Sequence, residues 1–385
     1  MNVEQIVFTR SKIYGDSRNI GGLENYTIAF CEEASMFRTI LLVSGSGSYV
    51  FRNGIPNKTC DGYSTTNQYL LTLYVGMRVL RLVVFKKDIR FQVFSVGLAG
   101  LLIAVSKSLG LLKNVELNTI LFALEFMIHS RNSKKILTRL QTILGVRRLA
   151  GFYMLKYCQR YFTEFDGHEH DYIKVFPFLK DTDFVCLPDP VSVNNNDEVN
   201  RSILSRIESM SVQKKVVFIS VGRDSLDKRR DLTIEYFKKL SEFCKKTRYK
   251  FELNICAPSV SSDLKELIGV DKNISVHEGL SDNQLQSLRK RAHFCICHSN
   301  QRVPQMSVLE DMAWGVIPIA NSELGKSLTK DSAIIMGKSD VTESFELIID
   351  LLSPKNYREK ALNVFRRSSY FGRDQFSKVI SGLAA

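Results

Sequence analysis

Short apolar runs alternate along the first half of the chain with segments that carry apolar residues at helical spacing. The run Gln5–Thr9 is followed by a glycine-containing loop at Asn19–Gly22, a helical pattern at Leu23–Met36 and a second apolar run at Thr39–Ser44. Two apolar runs joined by a helical pattern are typical of a βαβ unit. Three further strands are predicted, at Val79–Phe85, Phe91–Ser95 and Thr119–Phe126.

The second half of the chain shows the same alternation more clearly. We predict strands at Lys215–Val221, Phe251–Cys256, Ile274–His277, Phe294–His298 and Val316–Ala320, and helices at Asp231–Lys246, Ser262–Ile268, Ser281–Arg291 and Ser307–Trp314. Strands and helices that alternate on short connections indicate a parallel sheet covered on both faces. The ligand site of such a sheet lies at the carboxyl ends of its strands.

A polar segment, Val193–Asn200, follows Pro188 and Pro190 and is the best candidate for a linker between domains. At 385 residues the chain is long enough for two domains with separate cores. We therefore predict an N-terminal domain over 1–192, a C-terminal domain over 201–360, and a C-terminal helix over 361–385 that can pack back on the N-terminal domain.

The net charge of +13 predicts a surface that attracts anions such as nucleotides, anionic lipids or nucleic acid. Between Arg131 and Arg160 there are eight basic residues and no acidic residue, interleaved with apolar residues. Such a stretch either lies at an anionic membrane surface or forms a core helix with a solvated basic face. The sequence contains no recognised nucleic-acid-binding module, so nucleic acid is not an expected partner.

The eight cysteines lack paired metal-ligand spacing, and the first residues lack the form of a signal peptide. Both observations favour a reducing cytoplasm. The longest apolar run, Val93–Val105, is shorter than the roughly 20 residues of a spanning helix. We expect a cytoplasmic protein, with contact to the inner face of a membrane left open by the basic stretch.

The first candidate for chemistry is the loop after the predicted strand Lys215–Val221, which contains Gly222, Arg223 and Lys228. Arginine can hold phosphate oxygens through two hydrogen bonds, whereas lysine acts as a point charge. Two cations at the end of a buried strand suit a diphosphate.

The second candidate is the polar loop and helix that follow the strand Phe294–His298. The start of this helix, near Met306, Ser307 and Val308, would direct free backbone N–H groups toward an anion. Glu310, one turn further, can accept hydrogen bonds from a ribose diol.

Three motifs in the C-terminal half resemble the donor-binding domain of glycosyltransferase family 4. Gly222-Arg223 with Lys228 resembles the family's Gly-Arg…Lys loop, and 276–285 resembles its strand–Gly–Leu–Ser segment. The stretch 308–318, Val-Leu-Glu-Asp-Met-Ala-Trp-Gly-Val-Ile-Pro, resembles its Leu-Glu-Ala-Met-Ala-x-Gly-x-Pro helix. In the N-terminal half, 19–24 is weakly similar to the Gly-Gly loop that follows the first strand.

The resemblance implies the α/β GT-B fold, in which two Rossmann-like domains face each other across a cleft, and a retaining reaction. It implies a nucleotide sugar as donor, a sugar or lipid-linked acceptor, and no cofactor or metal ion. The residues it implies are Arg223, Lys228 and Glu310 for catalysis, Gly222, Gly279, Leu280, Arg302, Met306, Ser307 and Val308 for the donor, and Gly21, Gly22 and His129 in the N-terminal domain.

One position departs from the family pattern of two glutamates eight residues apart. Arg302 stands eight positions before Glu310, and the neighbouring Gln301 and Gln305 are alternative sources of polar contacts. Arg302 would pair with the diphosphate or with a carboxylate on an acidic donor sugar, or else it points to solvent and the first carboxylate's role has been lost. The alternatives to a transferase are therefore a catalytically silent binding subunit and a GT-B nucleotide-sugar epimerase.

Overall fold

The computed structural model describes residues 5–8, 22–44, 47–61, 90–94, 104–110, 116–121, 152–164, 169–225, 228–298, 305–321, 324, 328, 332–336 and 341–384. The chain divides into two compact units. The first consists of Met1–Asp189 with Phe376–Ala385, and the second of Pro190–Gln375.

The first unit is built on a sheet of eight described strands. They are β1 (Gln5–Phe8), β2 (Ile40–Ser44), β3 (Gly47–Arg52), β4 (Ile55–Asp61), β5 (Arg90–Phe94), β6 (Glu116–Leu121), β7 (Arg160–Thr163) and β8 (Phe184–Cys186). Their order is β4-β3-β2-β1-β5-β6-β7-β8, and the run from β2 to β8 is parallel throughout. The helices α1 (Gly22–Ala34) and α2 (Glu169–Val175) belong to the same unit.

Both faces of this sheet are buried, as β2 shows. Ile40 and Leu42 belong to the core cluster that contains residues of α1, whereas Leu41 and Val43 belong to a separate cluster. Alternate residues of a strand point to opposite faces, so covering both faces requires apolar residues at consecutive positions. This explains why the residues of β2 form an unbroken apolar run in the sequence.

The antiparallel hairpin β3–β4 is an element that the sequence analysis missed. Its turn is Asn53-Gly54, and both residues have positive φ, 49° and 79°. Asn-Gly is the preferred pair for a type I′ turn, whose twist matches that of the flanking strands. The signal was therefore present in the sequence as a dipeptide.

The second unit contains a six-stranded parallel sheet. Its strands are β9 (Lys215–Val221), β10 (Lys250–Ala257), β11 (Ile274–Glu278), β12 (Phe294–Cys297), β13 (Ile317–Asn321) and β14 (Ile334–Met336), in the order β11-β10-β9-β12-β13-β14. Its helices are α3 (Asn196–Glu208), α4 (Arg230–Phe243), α5 (Ser262–Ile268), α6 (Asp282–Arg291), α7 (Met306–Met312), α8 (Thr342–Asp350) and α9 (Pro354–Ser368). All strands and helices predicted for 215–320 are present, with ends shifted by a few residues.

The predicted linker Val193–Asn200 is wrong over its second part, because α3 begins at Asn196. The side chain of Asn195 caps this helix by accepting a hydrogen bond from the backbone N–H of Asp197 at 2.8 Å. Asp197 and Glu198 occupy the first turn, where acidic residues favour a helix start. The polar residues that suggested a linker are thus the start of a helix.

The last helix, α10 (Arg373–Ala384), contributes to the core of the first unit. Phe376 and Ile380 lie in the cluster that contains Tyr26, and the rings of Tyr26 and Phe376 meet edge to face at 5.4 Å. The hydroxyl of Tyr26 also donates to the carbonyl of Leu187 at 2.8 Å. These contacts fix the end of the chain to α1 and to the segment after β8.

Most of the predicted basic stretch Arg131–Arg160 lies outside the described residues. Its described end is a short helical segment, 152–156, followed by β7, which begins at Arg160. Among the helices that the structure describes, none has the length and apolar character needed to cross a bilayer. The predicted strand Val79–Phe85 also lies outside the described residues.

Candidate functional site

The strand order of the second sheet reverses between β9 and β12. From β9 the chain builds β10 and β11 in one direction, and from β12 it builds β13 and β14 in the other. In open parallel sheets, ligands bind at the carboxyl ends of the strands at such a reversal. Here those ends are Val221 of β9 and Cys297 of β12.

A small cavity lies at this point. Its walls come from the ends of β9 and β12 and from the starts of α4 and α7, through Ser220, Val221, Lys228, Arg230, Cys295, Ile296, Cys297, His298, Gln305, Ser307, Val308 and Asp311. The space inside it that is open to the centre of a water-sized sphere is about 10 Å³. The cavity brings together Lys228, which is predicted to be catalytic, and Ser307 and Val308, which are predicted to bind the donor.

The loop after β9 has a conformation that favours glycine at Gly222. The φ of Gly222 is +140°, and a Cβ there would lie 3.3 Å from Nη2 of Arg230. The carboxylate of Asp224 anchors this loop by accepting from the backbone N–H and the hydroxyl of Ser261, at 2.9 and 2.6 Å. The side chain of Arg223 is exposed and forms no hydrogen bond or ion pair with another described residue.

Lys228 faces the cavity close to the end of β12. Burial raises the pKa of the Cys297 thiol to about 11, and the positive charge of Lys228 opposes this rise. Lys228 is therefore near enough to Cys297 to affect its titration. The cavity wall at this side carries a positive charge.

Arg230 is a second cation in the cavity wall, and the sequence analysis missed it. It is the first residue of α4 and its exposed fraction is 5%. Its Nη1 donates to the hydroxyl of Ser220, and its Nη2 donates to the carbonyl of Gly222 at 2.9 Å. Arg230 lies four residues before Ile234 and seven before Phe237, both buried, so helical spacing already placed it on the buried face.

The start of α7 contributes polar side chains to the opposite wall. Gln305 is the residue before the helix and is 8% exposed. Ser307 donates its hydroxyl hydrogen to the carbonyl of Val221 at 3.1 Å, which joins α7 to the end of β9. The helix has only seven residues, so its dipole is short and side chains supply most of the polarity here.

Glu310 is held by an arginine that the sequence analysis also missed. Nη2 of Arg289 donates to Oε2 of Glu310 at 2.5 Å, and Nε of Arg289 donates to Oδ1 of Asp311 at 2.8 Å. The side chains of Arg289 and Asp311 are 8% and 2% exposed, whereas that of Glu310 is 37% exposed. Burial raises the pKa of Asp311 to about 6, and Arg289 opposes this rise.

This arrangement changes the interpretation of Glu310. The family helix that resembles 308–318 has alanine where this chain has Asp311. The carboxylate of Asp311 anchors Arg289, and Arg289 in turn fixes Glu310 from the side of α6. The Glu310 carboxylate is thus oriented before any ligand binds.

The two histidines around β12 are both neutral near neutral pH. His293 is fully buried, accepts from the N–H of Val217 at 3.1 Å and contacts the carbonyl of Arg206 at 3.0 Å. Burial lowers the pKa of His293 to about 3 and that of His298 to about 4. His293 therefore has a packing role, whereas His298 lines the cavity as an uncharged ring.

Several predicted site residues do not lie in the cavity wall. Gly279, with φ +61°, and Leu280 follow β11, two strands away from β9. Gly22 is the first residue of α1 in the other unit. Gly21, His129, Gln301 and Arg302 lie outside the described residues. The roles of all seven stay predictions.

Two Rossmann-like α/β units in one chain are the composition of the GT-B fold, and comparison with solved structures shows that fold along the whole chain. The predicted fold class is confirmed. The chain is similar to Alr3699/HepE of Anabaena in complex with UDP-glucose, at 11% identity and a TM-score of 0.65, with 99% of each chain covered.

Two further structures share the fold over comparable lengths. WaaG, a glycosyltransferase involved in lipopolysaccharide biosynthesis, is 14% identical with a TM-score of 0.64, over 99% of this chain and 98% of that one. The catalytic domain of starch synthase IV of Arabidopsis thaliana, bound to ADP and acarbose, is 9% identical with a TM-score of 0.66 over 100% of both chains. No protein-family model matches the chain, and no curated protein matches its sequence.

Proposed function

We propose that this chain is a glycosyltransferase that moves a sugar, with retention, from a nucleoside diphosphate sugar to an acceptor hydroxyl. The observation that carries the proposal is the group of cations at the strand-order reversal of the second sheet, where Lys228 and Arg230 line the cavity and Arg223 is exposed beside it. Solved structures of the same fold hold UDP, UDP-glucose or ADP. The retaining outcome rests on the resemblance to glycosyltransferase family 4.

The proposed chemistry is mainly electrostatic. Breaking the bond between the sugar and the diphosphate builds negative charge on the departing phosphate oxygens. Arg223 and Lys228 stabilise that charge more strongly in the transition state than in the ground state, which accelerates the reaction. Glu310 orients the donor through the ribose hydroxyls. Because the chain supplies its own cations, we expect turnover to persist when divalent metals are chelated.

The acceptor is a sugar or a lipid-linked sugar in cell-surface polysaccharide or glycolipid synthesis. WaaG, which shares the fold, acts in lipopolysaccharide biosynthesis. Together with the basic stretch of the first unit, this favours a cytoplasmic protein that contacts anionic membrane. Vesicle sedimentation tests the contact, because binding should require acidic lipid and weaken as added salt shortens the Debye length from about 10 Å at 0.1 M to about 3 Å at 1 M.

A nucleotide screen tests the donor. Thermal unfolding is measured with UDP, ADP and their sugar conjugates, with uridine and adenosine as controls that lack phosphate. A diphosphate at about 100 times its Kd should raise the free energy of unfolding by roughly 2.7 kcal/mol. Turnover of the best nucleotide sugar is then measured with and without an acceptor. A requirement for acceptor excludes an epimerase, and failure of every diphosphate to stabilise the protein contradicts the proposal.

The second candidate function is a binding subunit without catalysis. It is favoured by Arg302, which stands where the family carries its first glutamate. Turnover across neutral and acidic nucleotide sugars, in the native protein and in Arg302→Glu, separates the two. Activity confined to the variant supports a degenerate site. Turnover of an acidic sugar by the native protein, lost in the variant, supports pairing of Arg302 with the donor's carboxylate.

A further inference from the structure

Two buried N–H groups in the cavity wall have no hydrogen-bond partner among the residues that the structure describes. They are Nε of Arg230 and Nε2 of Gln305, on residues that are 5% and 8% exposed. Buried polar groups in proteins are nearly always hydrogen-bonded, because leaving one without a partner is costly. Two such donors among the residues that line one small cavity indicate a missing acceptor.

The charge of Arg230 leads to the same conclusion. Its two hydrogen bonds go to a hydroxyl and a carbonyl, both uncharged, and no carboxylate of a described residue lies within ion-pair distance of it. Burial lowers the pKa of the Arg230 guanidinium, and the carboxylates of Asp224 and Asp311, which lie beyond ion-pair distance, only partly oppose this. An anion in the cavity would supply the direct partner that neither carboxylate provides.

The one carboxylate in the set of residues that line the cavity does not supply it. The carboxylate of Asp311 accepts a hydrogen bond from Nε of Arg289 at 2.8 Å. It also forms a side-chain hydrogen bond with the thiol of Cys295. Arg289 therefore offsets much of the charge of Asp311, and the other two charged side chains among the lining residues, Lys228 and Arg230, are cations. The cavity as a whole favours an anion.

A buried arginine elsewhere in the same unit provides a contrast. Arg206 is 1% exposed and donates to four backbone carbonyls, those of Ser202, Ala292, Trp314 and Gly315. Its Nε is among the donors that are used. A purely structural buried arginine in this fold thus has its hydrogen bonds completed by the protein, whereas Arg230 does not.

We infer that Arg230 and Gln305 together bind one non-bridging oxygen of a phosphate group, inserted into the cavity between β9 and β12. Lys228 lines the same cavity, so its ammonium group can contact the same phosphate group. The inference deepens the proposed function and rests on it for the identity of the ligand, the diphosphate of the donor. It adds a buried binding residue to the loop cations that the sequence motif indicates.

The test measures binding of inorganic pyrophosphate and of UDP by calorimetry, with uridine as the control ligand. Arg230→Gln should weaken both phosphate ligands at least tenfold, and Gln305→Leu should weaken them several-fold. The matched control is Arg229→Gln, which removes the adjacent cation. Arg229 pairs with Asp231 on the surface, so this variant should change affinity less than twofold.

A second readout separates ligand binding from a structural role. Removing a buried charge that has no ion pair with a described residue should leave ligand-free Arg230→Gln at least as stable as the native protein in urea. Native-like binding by Arg230→Gln, or a large loss of ligand-free stability with unchanged binding, would overturn the inference. If Arg230→Gln does not fold, Gln305→Leu decides, because unchanged pyrophosphate affinity in that variant also overturns it.

The inference and the proposed function fail in different ways. A native protein that binds pyrophosphate through Arg230 but turns over no nucleotide sugar supports the phosphate site and contradicts the transferase. Turnover by the native protein with an unchanged KM in Arg230→Gln supports the transferase and contradicts the phosphate site. A native protein that binds neither pyrophosphate nor any nucleoside diphosphate contradicts both.

Discussion

Each end of the parallel strands in the second sheet has a buried arginine, and the two arginines differ in their hydrogen bonding. We call the end where the strands begin the amino edge and the end where they finish the carboxyl edge. At the amino edge, Arg206 joins α3 to the residues that precede β12 and β13, with its donors satisfied by backbone carbonyls. At the carboxyl edge, Arg230 leaves Nε without a partner and faces a cavity. The same side chain completes the structure at one edge and leaves a hydrogen bond unmade at the other.

This difference favours a structural role for the amino edge and a binding role for the carboxyl edge. A protein whose buried polar groups are all satisfied gains nothing from an added ligand at that place, whereas an unsatisfied buried donor makes ligand binding more favourable. The amino edge also holds His293, with both ring nitrogens engaged. We therefore expect the ligand-binding residues at the carboxyl edge, where the strand order reverses.

The largest effect that tests the difference between the two arginines is expected when Arg206, at the amino edge, is replaced. Arg206→Leu leaves four carbonyls without their donor, and we expect a loss of at least about 3 kcal/mol in the free energy of unfolding. Urea unfolding measures this loss. The matched variant is Arg230→Leu, which makes the same substitution at the carboxyl edge. Equal losses in the two variants would show that both arginines are structural.

The next largest effect concerns the loop cations. Arg223→Ala and Lys228→Ala should each lower kcat about 10²–10³-fold, the usual result of losing one positioned oxyanion donor, while urea unfolding stays near native. Lys239→Ala is the control, because Lys239 pairs with Glu235 on the exposed face of α4. Unchanged activity in both Arg223→Ala and Lys228→Ala would reject the diphosphate assignment.

Much of the second unit could be predicted from the sequence because its strands are buried on both faces. Continuous apolar runs such as Lys215–Val221 and Phe294–Cys297 leave little choice of structure or register. The motif around Gly222 and Lys228 then placed two residues of the site at the carboxyl ends. The hairpin β3–β4 was missed although its Asn53-Gly54 turn has a known signature.

The remaining site residues could not be predicted because their roles depend on contacts between distant segments. Arg289 and Asp311 are separate in sequence, and nothing in either helix alone shows that they pair. Arg230 reads as one of three consecutive basic residues at a helix start, where a solvated cation is the usual outcome. Helical spacing puts it on the buried face of α4, but the cavity that it lines forms only where α4 meets the ends of β9 and β12.

Acidification should destabilise both edges through their histidines. The folded-state pKa values of His293 and His298, about 3 and about 4, lie below the ordinary value of 6.5. The unfolded chain therefore binds more protons below pH 6.5, and stability is lost as the pH falls from 6.5 toward these values. At about pH 4.5 each histidine should account for about 2–3 kcal/mol.

Urea unfolding as a function of pH measures this loss for each edge separately. His293→Gln and His298→Gln should each flatten the curve between about pH 6.5 and 4.5 relative to the native protein, whatever their stability at neutral pH. A slope that neither substitution changes would show that other groups cause the acid sensitivity.

The smallest effect we expect is the coupling between Arg289 and Glu310, which tests how the carboxyl edge is organised around the ribose. If Arg289 orients Glu310 for the ribose diol, the native protein should prefer UDP over 2′-deoxy-UDP by about 1 kcal/mol, the value of one hydrogen bond. Arg289→Gln and Glu310→Gln should each remove that preference. The double variant should resemble either single variant, which corresponds to a coupling energy of about 1 kcal/mol in magnitude. Arg291→Gln is the control, because Arg291 is an exposed basic residue at the end of the same helix, α6.

Retention of the preference in Arg289→Gln together with its loss in Glu310→Gln would show that Glu310 binds the ribose without help from Arg289. Retention in both would show that the ribose lies elsewhere, and that the pair of carboxylates with Arg289 serves only to join α6 to α7.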